Sequence, residues 1–80
     1  MPITVRFFAS YADSLGRTDT ELNLAVGSNV KDLLASVGRL PGASALPANP
    51  LVAVNQVYAK LDTVLGAGDE VAVIPPVAGG

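Results

Sequence analysis

The 80-residue chain contains no cysteine and no histidine. Without cysteine there is no disulfide, no thiolate nucleophile and no Cys-ligated metal. Without histidine the commonest general base and the commonest zinc ligand are missing. Cations are few: Arg6, Arg17, Lys31, Arg39 and Lys60 are scattered through a chain of net charge −2. Neutralising phosphates takes clustered Lys and Arg, so no nucleic-acid partner is expected. Long apolar runs are absent too. The longest uncharged stretch, residues 40–59, holds Pro41, Pro47 and Pro50, and cannot be the roughly 20-residue helix that spans a bilayer. The start, Met1-Pro2-Ile3-Thr4-Val5-Arg6, lacks the charged and apolar regions of a signal peptide, so a cytoplasmic domain with no membrane partner is expected.

Half of the residues are hydrophobic and 15% are charged, which excludes disorder from low hydropathy. This length makes one domain, with little room for both a core and a deep cavity. Residues 3–9 are rich in β-branched and aromatic types and predict a strand. Residues 10–16 predict a turn or short helix. Residues 18–26 alternate, with Leu22, Leu24 and Val26 on one side, and predict a second strand pairing with the first as a hairpin. Ser28 is the expected N-cap of a helix whose buried face is Val30, Leu33, Leu34 and Val37, with Asp32 in its first turn. Gly38 and Pro41-Gly42 end it. Residues 51–54 and 57–59 predict two short strands around an Asn55-Gln56 turn. A turn at Gly66-Ala67-Gly68-Asp69 leads to a last strand over residues 70–74. The order β-β-α-β-β-β indicates an α+β domain over residues 1–74. We expect it to be a ubiquitin-like β-grasp: a mixed sheet of about five strands, one main helix across it, and a flexible, extended C-terminal tail over residues 75–80.

Most catalytic arrangements are missing. The seven carboxylates are dispersed apart from Asp69-Glu70, whose neighbouring side chains point to opposite faces of a strand. No metal site is expected. The glycines form no GxGxxG or P-loop pattern, and Ser10, Ser14, Ser28, Ser36 and Ser44 have no histidine to activate them. The domain is not expected to be an enzyme on its own.

What remains is the tail, Pro75-Pro76-Val77-Ala78-Gly79-Gly80. The prolines stiffen its base and direct it away from the sheet. Val77 and Ala78 are small and apolar enough to lie in a groove. Gly79 and Gly80 have no side chain and can thread a narrow channel, carrying an unhindered carboxylate to another protein's active site. A terminal Gly-Gly alone is a weak signal, because frayed ends tolerate glycine; a strand running straight into Pro-Pro and Gly-Gly is a stronger one. Reaction of the carboxylate with ATP would give an acyl-adenylate, and a sulfur nucleophile could displace AMP to leave a thiocarboxylate.

On these residues the chain resembles the MoaD/ThiS-type sulfur carriers, which include the molybdopterin synthase small subunit. The resemblance spans nearly the whole chain. It is carried by Val5-Arg6-Phe7-Phe8-Ala9, Val30-Lys31-Asp32-Leu33-Leu34, Val54-Asn55-Gln56, and Gly68-Asp69-Glu70-Val71-Ala72 leading into the tail. It implies that Gly80, reached through Gly79, is adenylated by an E1-like activating enzyme that consumes ATP. A sulfurtransferase then supplies the sulfur for the thiocarboxylate, which passes to cyclic pyranopterin monophosphate inside a large synthase subunit, forming the molybdopterin dithiolene. Two loaded carriers serve each product, in a heterotetramer of two small and two large subunits. No cofactor is bound by the carrier itself. The implied partner-binding residues are Phe8, Ile74, Pro75, Pro76, Val77 and Ala78. Many relatives have an Arg-Glu pair after the first strand; here the stretch is Tyr11-Ala12-Asp13, so any contact made by that arginine is lost. Carriers for thiamine thiazole or cysteine synthesis, and ubiquitin-like protein modifiers, share the tail and are the alternatives.

One expectation is independent of the family. Phe7 and Phe8 are adjacent and face opposite sides of the sheet, and residues 71–74 are apolar on both sides. One helix covers one face. The other is either covered by residues 41–50 or open to a partner.

Overall fold

The computed structural model describes residues 1–45 and 49–76. Strand β1 (Pro2–Phe7) is followed by helix α1 (Ser10–Leu15), β2 (Asp19–Asn23), α2 (Val30–Val37), a 3-10 turn (Ala43–Ala45), β3 (Leu51–Val54), β4 (Val57–Tyr58) and β5 (Glu70–Ile74). The strands form one sheet in the order β2-β1-β5-β3-β4. β1 and β5 are parallel neighbours at its centre, and the other pairs are antiparallel. This is the ubiquitin-like β-grasp, with the short helix α1 besides the main one.

The alternation of β1 and β5 sets the core. Ile3, Val5 and Phe7 point to one face beside Val71 and Val73, and all five are buried. Val52 of β3 joins them, and α2 brings Val30, Leu33 and Val37 against that face. Tyr11 and Leu15 of α1, four residues apart and so on one helix face, extend the core toward the end of β1. Burial raises the pKa of the Tyr11 phenol.

Several boundaries differ from the sequence expectation. The first strand ends at Phe7 instead of continuing to residue 9, because Ala9 has φ 49° and turns the chain into α1. The second strand covers only Asp19–Asn23. Leu22 and Leu24 pack against the core as expected, but Val26 is 89% exposed, in the turn closed by the Ser28 N–H to the Ala25 carbonyl. The N-cap of α2 is Asn29 rather than Ser28. Asn29 and Asp32 make a reciprocal capping box, each side chain accepting from the other's backbone N–H at 3.0 Å, so both orphan donors are satisfied. The fourth strand stops at Tyr58.

The described part of the 41–50 segment lies on the core side. Ala43 is buried among core residues. Gly42 has φ 88°, and a Cβ there would run into the Ser14 carbonyl oxygen. Only glycine fits both that backbone angle and that close approach to α1.

Candidate functional site

The base of the tail is the end of β5, and the sheet register determines what surrounds it. Val71 and Val73 point into the core, so Ala72 and Ile74 point out, away from the helices. The register sets Arg6 and Ala53 on either side of Ala72, and Leu51 beside Ile74. Phe8 continues β1 by one hydrogen bond, its N–H donating to the Val73 carbonyl at 3.3 Å, and this carries it level with Ile74. Tyr58 of β4 pairs with Ala53 and completes the outward row.

The outward face therefore has two halves. Near the exit of the tail it is apolar: Phe8, Leu51 and Tyr58 are exposed, Ile74 and Ala72 are half-buried, and Ala53 between them is buried. Phe8 is 44% exposed and Tyr58 73% exposed, whereas Phe7 on the opposite side is 3% exposed. The other half is charged. Arg6 reaches Glu70 at 3.5 Å, with Asp19 and Glu21 facing the same side on β2 by register. The Arg6–Glu70 pair is about half exposed on both sides, and exposed pairs of this kind contribute little stability. Their effect is to mark where the apolar half ends.

The other end of β5 is fastened. Asn55 and Gln56 both have positive φ, 49° and 72°, which makes the tight turn between β3 and β4. From that turn the Asn55 N–H donates to the Glu70 carbonyl at 2.8 Å. The Asn55 side chain accepts from the Glu70 N–H and donates to Asp69, both at 3.0 Å. Asp69 also accepts from the Gly66 N–H at 2.7 Å. The Gly66 bond first, then the Asn55 amide, hold the Asp69 carboxyl below its usual value, against a smaller opposing effect of burial.

The structure thus brings Phe8 and Ile74 to one face at the foot of the tail, with Pro75 half-buried and Pro76 exposed. Val77, Ala78, Gly79 and Gly80 lie outside the described residues. Leu51, Ala53 and Tyr58 belong to the same face but were not singled out by sequence reasoning. Leu51-Val52-Ala53-Val54 is an unbroken apolar run and does not announce which residues point out; the Ala/Leu against Val alternation within it was the available signal. No group of three or more acidic residues is placed to hold a metal ion among the described residues.

Comparison with known proteins adds a family. The ThiS family model matches residues 5–80. The molybdopterin synthase sulfur carrier subunit of Chlamydomonas reinhardtii is 34% identical over an alignment covering 100% of both chains. Among solved structures, small archaeal modifier protein 1 of Haloferax volcanii superposes with a TM-score of 0.84 at 27% identity, covering 95% of this chain and 98% of that one. The protein–protein complex of subunits 1 and 2 of the molybdopterin-converting factor from Helicobacter pylori contains a chain matched at a TM-score of 0.72 and 26% identity, with 100% of both chains covered.

Proposed function

The chain belongs to the ThiS family, and we propose that it is the sulfur carrier subunit of a molybdopterin synthase, with the Gly80 carboxylate as its attachment point. The observation that carries this reading is the geometry of β5. The strand is held from both sides at the centre of the sheet and its last paired residue is Ile74, beside an apolar face that no described element covers, six positions before Gly80. The full-length match to a molybdopterin synthase sulfur carrier subunit supports the same assignment.

In this reading the carboxylate oxygen attacks the α-phosphorus of ATP within an E1-like activating enzyme, and pyrophosphate leaves. The outer sulfur of a persulfide on a sulfurtransferase attacks the acyl carbon and AMP leaves, so that C–S replaces C–O; a second thiol then attacks the S–S bond of the resulting acyl disulfide, departs as a disulfide with the sulfurtransferase sulfur, and frees the thiocarboxylate. The thiocarboxylate is the reactive group passed on, and this chain contributes aim and docking rather than acid–base catalysis. The large subunit is the docking partner, as in the Helicobacter pylori complex of subunits 1 and 2. The apolar half of the outer face supplies the contact, through Phe8, Ile74 and Pro75-Pro76, with Val77 and Ala78 following into the partner and Gly79-Gly80 reaching its reaction centre. The acceptor is cyclic pyranopterin monophosphate, and two loaded carriers complete one dithiolene in a heterotetramer. No cofactor is held by the carrier, and the cytoplasm, where ATP is available, is the proposed compartment.

Reconstitution tests this reading. The sulfur-loaded chain, mixed with a large subunit and precursor, is expected to give the dithiolene product, and unloaded chain none. Failure of the loaded chain with a large subunit active toward another carrier would refute the assignment. The likeness to small archaeal modifier protein 1 favours a second reading, in which Gly80 is joined to lysines of other proteins. Ladders of conjugates in host extracts, absent when Gly80 is deleted, would establish that one.

A further inference from the structure

The two prolines after β5 occupy the positions where the two neighbouring strands would next need a donor. Successive N–H groups of a strand point to opposite neighbours. On the β1 side, Thr4 donates to the Asp69 carbonyl at 3.0 Å and Phe8 to the Val73 carbonyl at 3.3 Å. In a parallel ladder of that phase, the carbonyls of Thr4, Arg6 and Phe8 face the N–H positions of residues 71, 73 and 75. Position 75 is proline. On the β3 side, the Asn55 N–H donates to the Glu70 carbonyl at 2.8 Å. With the Leu51↔Ile74 and Ala53↔Ala72 pairs, this sets the hydrogen-bonded pairs at 55/70, 53/72 and 51/74. The next would be 49/76, and position 76 is also proline.

Both neighbours stop at the same level. The Phe8 carbonyl accepts instead from the Tyr11 N–H at 3.1 Å, closing a tight turn in which Ala9 has φ 49° and ψ −126°. A non-glycine residue rarely takes that conformation, and it persists only where the surrounding structure holds it. On the other side Asn49, with φ 58°, leaves the extended conformation just before Pro50.

We infer that Pro75 and Pro76 form a two-sided strand stop. Pro75 denies a donor to β1, Pro76 denies one to β3, and the sheet therefore ends at Ile74. They are positioning residues for the chain beyond them. Their purpose rests on the sulfur-carrier reading: a carboxylate that must enter another protein has to belong to a segment that its own sheet does not capture. The stop is specific to side. A donor restored at 75 meets the Phe8 carbonyl, which already accepts from the Tyr11 N–H but has a second lone pair and is still held in register by the Phe8 N–H to the Val73 carbonyl, whereas one restored at 76 meets a strand that has already turned at Asn49. Pro75 is therefore the stronger element.

The test uses the full chain with Pro75→Val, Pro76→Val and the double variant. Amide hydrogen exchange is read residue by residue, together with the rate of ATP-dependent adenylation by the activating enzyme. The amide at position 75 is expected to exchange about tenfold more slowly than an unprotected amide, as one hydrogen bond of ordinary net strength gives. The amide at 76 should gain less. Adenylation should slow in the order Pro76→Val, Pro75→Val, double variant. N-methylalanine at position 75, which again lacks the N–H, should restore the rate; a mere loss of ring contacts would not be rescued this way. New amides exchanging at unprotected rates would overturn the stop, and protected amides with an unchanged adenylation rate would overturn its positioning role. A wild-type chain that is never adenylated would refute the sulfur-carrier reading, and the exchange result would still decide the stop.

Discussion

The two ends of β5 are built in opposite ways. Its start is tied by Asn55, Asp69 and Gly66 through four hydrogen bonds of 2.7–3.0 Å, three of them involving a side chain and one between backbone groups. Its end has proline at two successive positions, strands that turn away on both sides, and an apolar face that no described element covers. On the proposed function, a strand anchored at one end and ended by proline at the other is a fixed mount for the segment that follows it. Stability should therefore reside at the start of β5 and function at its end, and substitutions can separate the two.

The largest effect is expected from deleting Gly80. Sulfur loading should be abolished, while the melting temperature and large-subunit binding stay as in the parent chain. Next is Ile74→Glu, which places a charge in the apolar half of the outer face. Loss of a central apolar contact typically costs about 2–4 kcal/mol in binding, so co-elution with the large subunit should disappear while the circular dichroism spectrum is retained. Retained co-elution would show that this face is not the docking surface.

At the fastened end the prediction is reversed. Asn55→Ala removes two side-chain hydrogen bonds and a residue suited to positive φ, and should lower the unfolding free energy by about 1–2 kcal/mol. Binding measured well below the melting temperature should change little. The smallest effect is that of Asp69→Asn, and it depends on pH. The folded state lowers the Asp69 pKa, so it favours the ionised form. Its stabilisation is complete above the ordinary aspartate value of about 3.9 and is lost as pH falls through the lower folded value. The gap in melting temperature between the parent and Asp69→Asn should be present at neutral pH and close below that window. A gap that widened toward acid would contradict the hydrogen-bond account of this end.

Much of this arrangement was legible in the chain itself. Adjacent Phe7 and Phe8 had to face opposite sides, and the structure buries one and exposes the other. Asn55-Gln56 was legible as a tight turn because asparagine tolerates positive φ. Other features depend on tertiary contacts. Ala9 carries no local signal for a positive φ; the turn exists because β1 must end where α1 begins to pack Tyr11 into the core. Ser28 and Asn29 are both good caps, and local preference does not choose between them. The choice follows from the bridge of Asn29 to Val64 and from the Ser28 carbonyl accepting from the Leu65 N–H, which place Ser28 outside the helix. Val26 continued an alternation past the end of its strand, where the pattern no longer has a sheet to refer to. As for the site, the composition of the tail was readable from residue types alone, and the sulfur chemistry proposed for it rests on that composition and on the family. The docking face was not readable, because the outward residues of β3 become identifiable only once the register with β5 is known.

In the proposed function, the end of β5 serves a carboxylate that becomes loaded with sulfur. The most direct measurement is the intact and fragment mass of the chain after incubation with ATP, the activating enzyme and a sulfur donor. The expected result is a mass gain equal to replacement of one oxygen by sulfur, confined to the fragment ending at Gly80. An unchanged mass under conditions that load another carrier, or a gain on any other fragment, would contradict it.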